Sequence, residues 1–197
     1  MQLALSVLGI ACSPRRKGNT TNLLLESINA AQEEGHHTEV VYLSELNMSP
    51  CRGCGACSAK GVCVINDDIA ILQDKLIVLD RLIIAAPIYF MGVNAQAKIM
   101  IDRMQPFWAR KYLHQQSIVN PSGEKRAGMF ISTAGTKFPY VFECAERSIK
   151  TLFTMLDIEY SQTCLYNGVD KAGEIADYPD FFAEVRRKTE TLLMERR

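Results

Sequence analysis

The sequence has no excess of charge of either sign, because 22 Lys and Arg residues balance 22 Asp and Glu residues over 197 residues. Proteins that bind nucleic acid or anionic membranes usually carry clustered positive charge, and this composition does not indicate it. No apolar run approaches the roughly 20 residues that a membrane-spanning helix needs. The first strand-like stretch, Leu3 to Ala11, lacks the basic region and cleavage signature of a signal peptide. We therefore expect a cytoplasmic protein with neither nucleic acid nor membrane among its partners.

Two glycine-rich motifs for nucleotide binding are also missing. Neither G-x-G-x-x-G nor G-x-x-x-x-G-K-[ST] follows the first predicted strand, which argues against a Rossmann dinucleotide site and an NTPase P-loop. A disulfide framework is not indicated either, because the seven cysteines are an odd number and no export signal is seen. Four of the seven fall within thirteen residues. In a reducing compartment, that crowding indicates metal or redox chemistry.

Short apolar runs alternate with amphipathic segments five times along the chain. This pattern predicts right-handed βαβ crossovers and a parallel sheet covered by helices on both faces, in a single α/β domain over residues 1–197. The predicted strands are 3–10, 39–43, 81–86, 127–133 and 159–166. The predicted helices are 20–34, 69–79 with Asp67 and Asp68 as its cap, a helix capped by Asn94 that runs to about 108, a helix from 139 or 140 to about 156, and 180–196.

The loop between the first strand and the first helix has the composition of a phosphate site. A helix N-terminus there presents unpaired backbone N–H groups and the positive end of the helix dipole. Ser13, Asn19 and Thr20 can add side-chain donors, and the basic run 15–17 adds positive charge with no acidic residue nearby. The alternative is an ordinary strand-to-helix turn with basic residues on its surface.

Two further loops leave the carboxyl ends of predicted strands, where open α/β sheets bind ligands. Residues 87–92 offer apolar and aromatic surface suited to a flat heteroaromatic ring, and residues 133–136 are small enough to let a ligand approach the backbone. Tyr89 and Phe90, taken singly, could equally be core or interface residues. Because three loops converge on one sheet edge, a shared pocket is the better interpretation.

The run 13–20, together with Ala86 to Phe90, resembles the NADPH-dependent FMN reductase and iron–sulfur flavoprotein family. The resemblance covers most of the chain and weakens after about Phe138. It implies a flavodoxin-like three-layer sandwich with a five-stranded parallel sheet in the order 2-1-3-4-5, and a flavin-dependent oxidoreductase. One departure is Cys12, where the family usually has glycine.

Carried over residue by residue, the resemblance also implies an FMN site. The phosphate would be bound by Ser13, Arg15, Lys17, Asn19 and Thr20. The isoalloxazine would be bordered by Pro87, Ile88, Tyr89, Phe90 and Met91, with Thr133, Ala134 and Gly135 on another side. No residue is assigned a catalytic role, since hydride or single-electron transfer at a flavin needs no acid–base group of the protein.

A compact cysteine motif, with Cys51, Cys54, Cys57 and Cys63 as the expected metal ligands, lies in an insertion at about residues 47–66, here called the cysteine loop. Four thiolates this close can wrap one [4Fe–4S] cluster, and the spacing resembles that of iron–sulfur flavoproteins. Gly53, Gly55 and Gly61 would provide the backbone freedom for wrapping. Structural zinc, and free thiols or a labile disulfide, remain alternatives. Of the other cysteines, Cys144 and Cys164 are expected to be buried and inert.

These features predict an FMN-dependent electron-transfer iron–sulfur flavoprotein. It would pass electrons from NAD(P)H or a ferredoxin-like donor, through FMN and a [4Fe–4S] cluster, to a small-molecule or protein acceptor that the sequence does not identify. A homo-oligomer, dimer or tetramer, is implied by the resemblance. The alternatives are an NAD(P)H-dependent FMN reductase without a cluster, and a zinc or thiol redox-sensing binding protein on a flavodoxin-like scaffold.

Overall fold

Alternating strands and helices build a sheet that carries helices on both faces. The computed structural model describes residues 4–118 and 120–195. In chain order, the elements are β1 (Ser6–Ala11), α1 (Asn19–Glu33), β2 (His37–Tyr42), α2 (Ala56–Lys60), α3 (Ile69–Val78), β3 (Arg81–Ala85), β4 (Ile88–Tyr89), β5 (Gly92–Val93), α4 (Ala95–Asp102), α5 (Gln105–Trp108), β6 (Ala127–Ala134), α6 (Glu143–Met155), β7 (Glu159–Asn167) and α7 (Pro179–Met194).

The main sheet has five parallel strands in the order β2-β1-β3-β6-β7. This is the predicted order 2-1-3-4-5, because β4 and β5 form a separate two-stranded hairpin. The central strands β3 and β6 are buried along their whole length, as expected for a parallel sheet covered on both faces. The predicted flavodoxin-like α/β fold is therefore confirmed.

Two apolar layers hold the helices against this sheet. Helices α1 and α7 share one buried cluster with one face of the sheet, through side chains such as Leu24 and Leu192. Helices α3, α4 and α6 share a second cluster with the other face, through side chains such as Leu72, Met100 and Phe153. Because helices cover both faces of the sheet, a ligand can approach it at the carboxyl ends of the strands.

Several predicted boundaries need correction. The predicted helix 94–108 is two helices, because α4 ends at Asp102 and α5 begins at Gln105. Asp68 does not cap α3 with its side chain, which instead accepts a hydrogen bond from the backbone N–H of Asn47. Helix α6 begins at Glu143, three or four residues after its predicted start at residue 139 or 140. The predicted ends at Leu3 and Arg196 lie outside the described residues.

Within the described ranges, no helix combines the length and the apolar character needed to cross a bilayer. The long connection between β2 and α3 contains a 3-10 turn over Leu43–Glu45 and the short helix α2, which lies inside the cysteine loop. The fold thus places two predicted sites on the same molecule: three loops at the carboxyl edge of the sheet, and the cysteine loop beside α4 and α5.

Candidate functional site

Three predicted loops meet at the carboxyl edge of the sheet and enclose a small recess. Its lining residues are Ser13, Arg15, Gly18, Asn19, Thr20, Pro87, Ile88, Tyr89, Thr133, Gly135, Val169 and Asp170. The recess measures ≈ 60 Å³, far less than the roughly 300–1,000 Å³ of a pocket that holds a whole cofactor. It therefore suits a phosphate group, and a flavin ring would lie outside it.

Thr20 provides the clearest sign of a ligand in this recess. Its side chain is buried in the first turn of α1, and its Oγ1 has no hydrogen-bond partner among the described residues. A buried hydroxyl without a partner costs about 1–3 kcal/mol. The residues present therefore fit an anion at the start of α1, where helix N–H groups and the helix dipole also favour it.

Ser13 and Gly18 shape the same turn. The Oγ of Ser13 accepts a hydrogen bond from the backbone N–H of Arg15 at 3.1 Å, which leaves its own hydroxyl proton available for another acceptor. A Cβ at Gly18 would lie 2.7 Å from the Ser13 Oγ and 3.1 Å from the Arg15 carbonyl oxygen. Only glycine therefore fits at position 18 without moving the loop.

Asn19 lines the recess, but its amide is used elsewhere. Its Nδ2 donates to the carbonyl oxygen of Lys171 at 2.9 Å, and its Oδ1 accepts from the backbone N–H groups of Gly173 and Ile175. Its side chain therefore joins the first loop to the loop after β7. An amide nitrogen carries two N–H donors and these contacts use one, so donation by Asn19 to a phosphate stays a prediction.

Asp170 lines the recess and was missed by sequence reasoning. It follows β7, and its Oδ1 would lie 2.7 Å from a Cβ at Gly135. A carboxylate repels a phosphate but can accept hydrogen bonds from ring N–H or hydroxyl groups. The signal was available, because the loop after the fifth parallel strand reaches the same sheet edge as the loops after the others.

Four predicted flavin residues do not line the recess. Lys17 is exposed on the first loop, and Ala134 is buried in β6. Phe90 and Met91 form the tip of the β4–β5 hairpin with φ of 50° and 66°, an uncommon conformation for side chains of this size. Phe90 is fully exposed there. The predicted roles of these four residues in flavin binding therefore stay predictions.

Cys12 and Asn94 connect the loop between β1 and α1 (residues 12–18), here called the phosphate loop after its predicted role, to helix α4. Cys12 is completely buried, and burial raises the pKa of its thiol far above the ordinary range, so the thiol stays protonated. The Nδ2 of Asn94, at the start of α4, donates to the Cys12 carbonyl oxygen at 2.6 Å. The Cys12 side chain is therefore accommodated in the core at the turn where the sequence departs from the expected glycine.

All four motif cysteines line one cavity of ≈ 450 Å³. Gly53, Gly55 and Gly61 in the cysteine loop have φ of 63°, 74° and 65°, which confirms that this loop uses the backbone freedom of glycine. The backbone N–H of Gly53 donates to the Cys51 sulfur at 3.5 Å. The opposite wall of the cavity is formed by Asp102, Arg103, Gln105 and Pro106.

In the described part of the chain, no three Cys, His, Asp or Glu side chains converge closely enough to hold a single metal ion. One zinc ion needs four sulfurs, each at about 2.3 Å from a common centre. A [4Fe–4S] cluster carries its four irons at separate corners, so its thiolates lie farther apart around a larger volume. Four cysteines spread around one cavity match the second requirement better than the first.

A buried ion pair ties the cysteine loop to α4. Arg103 and Asp67 form two parallel hydrogen bonds, Nη1 to Oδ2 at 2.7 Å and Nη2 to Oδ1 at 2.9 Å. Arg103 also donates to the carbonyl oxygens of Ser49 and Ile65, and Asp67 accepts from the backbone N–H of Ser49. Both side chains are nearly inaccessible, at 1% and 4% exposed. Removing one partner of such a buried pair lowers the free energy of unfolding by about 3–5 kcal/mol.

The pKa values of this pair follow from its contacts. Burial alone would raise the pKa of Asp67, but the hydrogen bonds from Arg103 and Ser49 outweigh it, and the pKa is lowered. Burial alone would lower the pKa of Arg103, but the hydrogen bond to Asp67 and the electrostatic contributions of Cys63 and Asp67 outweigh it, and the pKa is raised. Both groups therefore remain charged near neutral pH.

The two remaining predicted cysteines behave differently. Cys164 in β7 is buried as predicted, and burial raises the pKa of its thiol to about 11. The prediction of a buried Cys144 is wrong, because it is exposed near the start of α6. The helix turns this position to solvent and buries Ala145 and Ile149 instead.

Helix α4 runs from one site to the other. It begins beside Asn94, which contacts the phosphate loop, and ends at Asp102, which lines the cysteine cavity. At about 1.5 Å per residue, its eight residues span about 12 Å. A rigid element of this length keeps the two sites in a fixed relation within one chain.

The family model for NADPH-dependent FMN reductase matches residues 5–158. This chain belongs to the NADPH-dependent FMN reductase family. The match includes the phosphate loop, the β4–β5 hairpin, the β6 loop and the whole cysteine loop. The resemblance inferred from residues 13–20 and 86–90 is thereby confirmed.

Curated relatives of this family member are iron–sulfur flavoproteins. One from Methanocaldococcus jannaschii is 43% identical over 102 residues, covering 52% of this chain and 53% of its own length. Another, from Archaeoglobus fulgidus, is 38% identical over 109 residues, covering 55% of this chain and 50% of its own length. The chain therefore spans about half the length of the curated relatives it matches.

A solved structure, the NAD(P)H:quinone oxidoreductase from Methanothermobacter marburgensis, superposes with a TM-score of 0.71. The match covers 98% of this chain and 99% of that one at 15% sequence identity. At this identity, the likeness supports the shared fold.

Proposed function

We propose that this protein is an FMN-dependent oxidoreductase that transfers electrons between FMN and a [4Fe–4S] cluster. The observation that carries the proposal is that all four motif cysteines line one cavity in a member of the FMN reductase family. The electron donor would be NAD(P)H or a ferredoxin-like protein, and the acceptor a small molecule or another protein. The names of the curated relatives support the presence of a cluster.

The phosphate of FMN would be held at the start of α1. Thr20 would donate its buried, unpartnered hydroxyl, Ser13 its hydroxyl proton, and Arg15 its positive charge. Pro87, Ile88 and Tyr89 would border the flavin, with Thr133 and Gly135 across the recess from them. When bound, FMN supplies hydride and single-electron chemistry, and the protein contributes binding, orientation and electrostatics.

The remaining predicted flavin residues have supporting roles in this proposal. Lys17 would add long-range attraction for the phosphate from its exposed position, and Asn19 would hold the two loops together. Phe90 and Met91 would cover the part of the flavin that extends beyond the recess, while Ala134 would keep β6 closely packed beneath it.

The cluster would be held by Cys51, Cys54, Cys57 and Cys63. A [4Fe–4S] group supplies one-electron transfer when bound, which complements a flavin that exchanges one or two electrons. We further propose a single domain over residues 1–197, with the cysteine loop as an insertion, that assembles into a homo-oligomer. Exposed aromatic side chains near α5, Trp108 and Tyr112, are consistent with contacts to another copy.

The test is anaerobic purification followed by absorption spectroscopy and analysis of iron, sulfide and zinc. We expect flavin bands on a broad shoulder that dithionite bleaches, with iron and labile sulfide near four per chain. Replacing Cys54 and Cys57 with alanine should abolish the iron and the shoulder but leave the flavin bands. Cys144→Ala is the matched control, because this exposed cysteine lies outside the motif.

Other outcomes of the same experiment identify the alternatives. Flavin bands without iron, and FMN reduction by NAD(P)H unaffected by the Cys54 and Cys57 changes, would indicate a plain FMN reductase. Zinc without iron would indicate a metal-binding or redox-sensing role for the cysteine loop. Either result would overturn the electron-transfer proposal but leave the family and fold unchanged.

A further inference from the structure

Arg103 has one hydrogen-bond donor that the protein itself does not use. A guanidinium carries five N–H donors in a fixed planar fork. Four contacts are made by Nη1 and Nη2, to both oxygens of Asp67 and to the carbonyl oxygens of Ser49 and Ile65. The fifth donor, on Nε, is buried and has no hydrogen-bond partner in residues 4–118 or 120–195.

The unused donor belongs to a side chain that forms part of the cysteine cavity. Arg103 lines this cavity together with Cys63 and the other motif cysteines. Cys63 also contributes to the raised pKa of Arg103. Its four other contacts fix the plane of the fork, so the direction of the Nε–H bond is also fixed. A rigid, buried, charged donor therefore belongs to the same cavity wall as the expected cluster ligands.

We propose that Arg103 sets the reduction potential of the bound cluster by donating its Nε–H to the sulfur of Cys63. This inference rests on the proposed cluster and deepens it. Reduction adds one electron to the cluster and increases the negative charge on its thiolate sulfurs. A charge-assisted N–H···S bond stabilises that more negative state, because charge, hydrogen bonds to sulfur and burial tune such potentials. Arg103 is thus a positioning residue that acts through a ligand.

Asp67 has a distinct part in this arrangement. It holds the far side of the fork and partly balances the positive charge, and it also accepts the backbone N–H of Ser49 at the start of the cysteine loop. The pair therefore holds the loop against α4, and in this proposal it fixes the position from which Nε reaches Cys63. Lysine cannot reproduce this geometry, because its ammonium is a compact charge without the planar fork.

The experiment compares Arg103→Lys with Arg110→Lys in anaerobically purified protein, by EPR-monitored redox titration with dithionite. Arg110 is a matched control, because it also donates its Nε to the cysteine loop, to the Gly61 carbonyl at 2.7 Å, but does not line the cavity. In Arg103→Lys we expect the ratio of reduced to oxidised cluster at a fixed potential to fall about tenfold, equivalent to about 59 mV for one electron. Arg110→Lys should keep the wild-type midpoint.

A second measurement covers the case in which Arg103→Lys fails to retain its cluster. Protein that carries Arg52→Lys and Arg110→Lys is labelled with ¹⁵N at arginine Nε; the two changes remove the other arginine of the cavity and the other arginine that donates its Nε to the cysteine loop. Pulsed EPR of the reduced cluster should then detect coupling to one ¹⁵N nucleus. Absence of that coupling would overturn the proposal.

The outcomes separate this inference from the proposed function. A wild-type protein without iron and sulfide would overturn both. A fully loaded cluster whose midpoint is the same in wild type, Arg103→Lys and Arg110→Lys would overturn the role of Arg103 alone. A midpoint potential lowered equally in both variants would show that any change in the contacts of the cysteine loop alters the potential. That result would also overturn the specific role of Arg103.

Discussion

Replacing Thr20 with valine should change apoprotein stability and FMN affinity in opposite directions. The Thr20 hydroxyl is buried without a partner in the described structure, and valine replaces it with a methyl group of similar size and helix propensity. Removing an unsatisfied hydroxyl should raise the free energy of unfolding of the apoprotein by about 1 kcal/mol. For a chain of this length, that corresponds to a Tm increase of about 2–4 °C.

The same change should weaken FMN binding. A hydrogen bond to a charged group contributes about 1.5–3 kcal/mol, so the Kd should rise about 10- to 150-fold. Thermal unfolding of the flavin-free protein measures the first effect, and quenching of flavin fluorescence on titration measures the second. A few-fold change or less in Kd would refute the assignment of this hydroxyl to the phosphate.

Thr21→Val is the comparison variant for stability. Thr21 is equally buried, but its Oγ1 donates to the Arg15 carbonyl oxygen at 3.4 Å. Replacing Thr21 with valine removes a hydrogen bond that the protein makes, so the free energy of unfolding of the apoprotein should fall by about 1 kcal/mol. Opposite signs for two adjacent threonines would be difficult to explain by a general effect of valine at the start of α1.

Three further predictions follow from packing and charge. Gly135→Ala places a Cβ within 3.0 Å of three Asp170 side-chain atoms, so FMN titration should show weaker binding, with Asp170→Gly restoring it if this contact is the cause. Gly128→Ala brings a Cβ 2.4 Å from the Phe153 ring and should lower the free energy of unfolding by about 1–3 kcal/mol in urea denaturation, an effect that an unchanged midpoint would contradict. Because the pKa of Asp67 is lowered on folding, its stabilisation of the cysteine loop is fully present above about pH 3.9 and is lost as pH falls through the folded-state value. Hydrogen exchange in that loop should therefore accelerate in acid, and Asp67→Asn should remove this part of the pH dependence.

Much of the flavin site could be predicted from sequence, because parallel strands place the loops after them at one edge. That rule located the loops beginning at Ser13, Pro87 and Thr133, all of which line the recess. It would also have found Asp170, had it been applied to the loop after the fifth strand. The structural role of the Asn19 amide could not be predicted, since its partners Lys171, Gly173 and Ile175 lie more than 150 residues away.

The sequence by itself determined the fold class, the strand order implied by family resemblance, and the cysteine loop with its glycine turns. These depend on local patterns, namely apolar periodicity, residue spacing and the backbone freedom of glycine. Only the tertiary structure decided that Thr20 is left without a partner, that Cys144 faces solvent, and that Arg103 closes the cysteine loop with Asp67. The Arg103–Asp67 pair, for example, joins residues 36 positions apart in the chain. Tertiary packing determines such contacts and exposures, and local sequence patterns do not specify them.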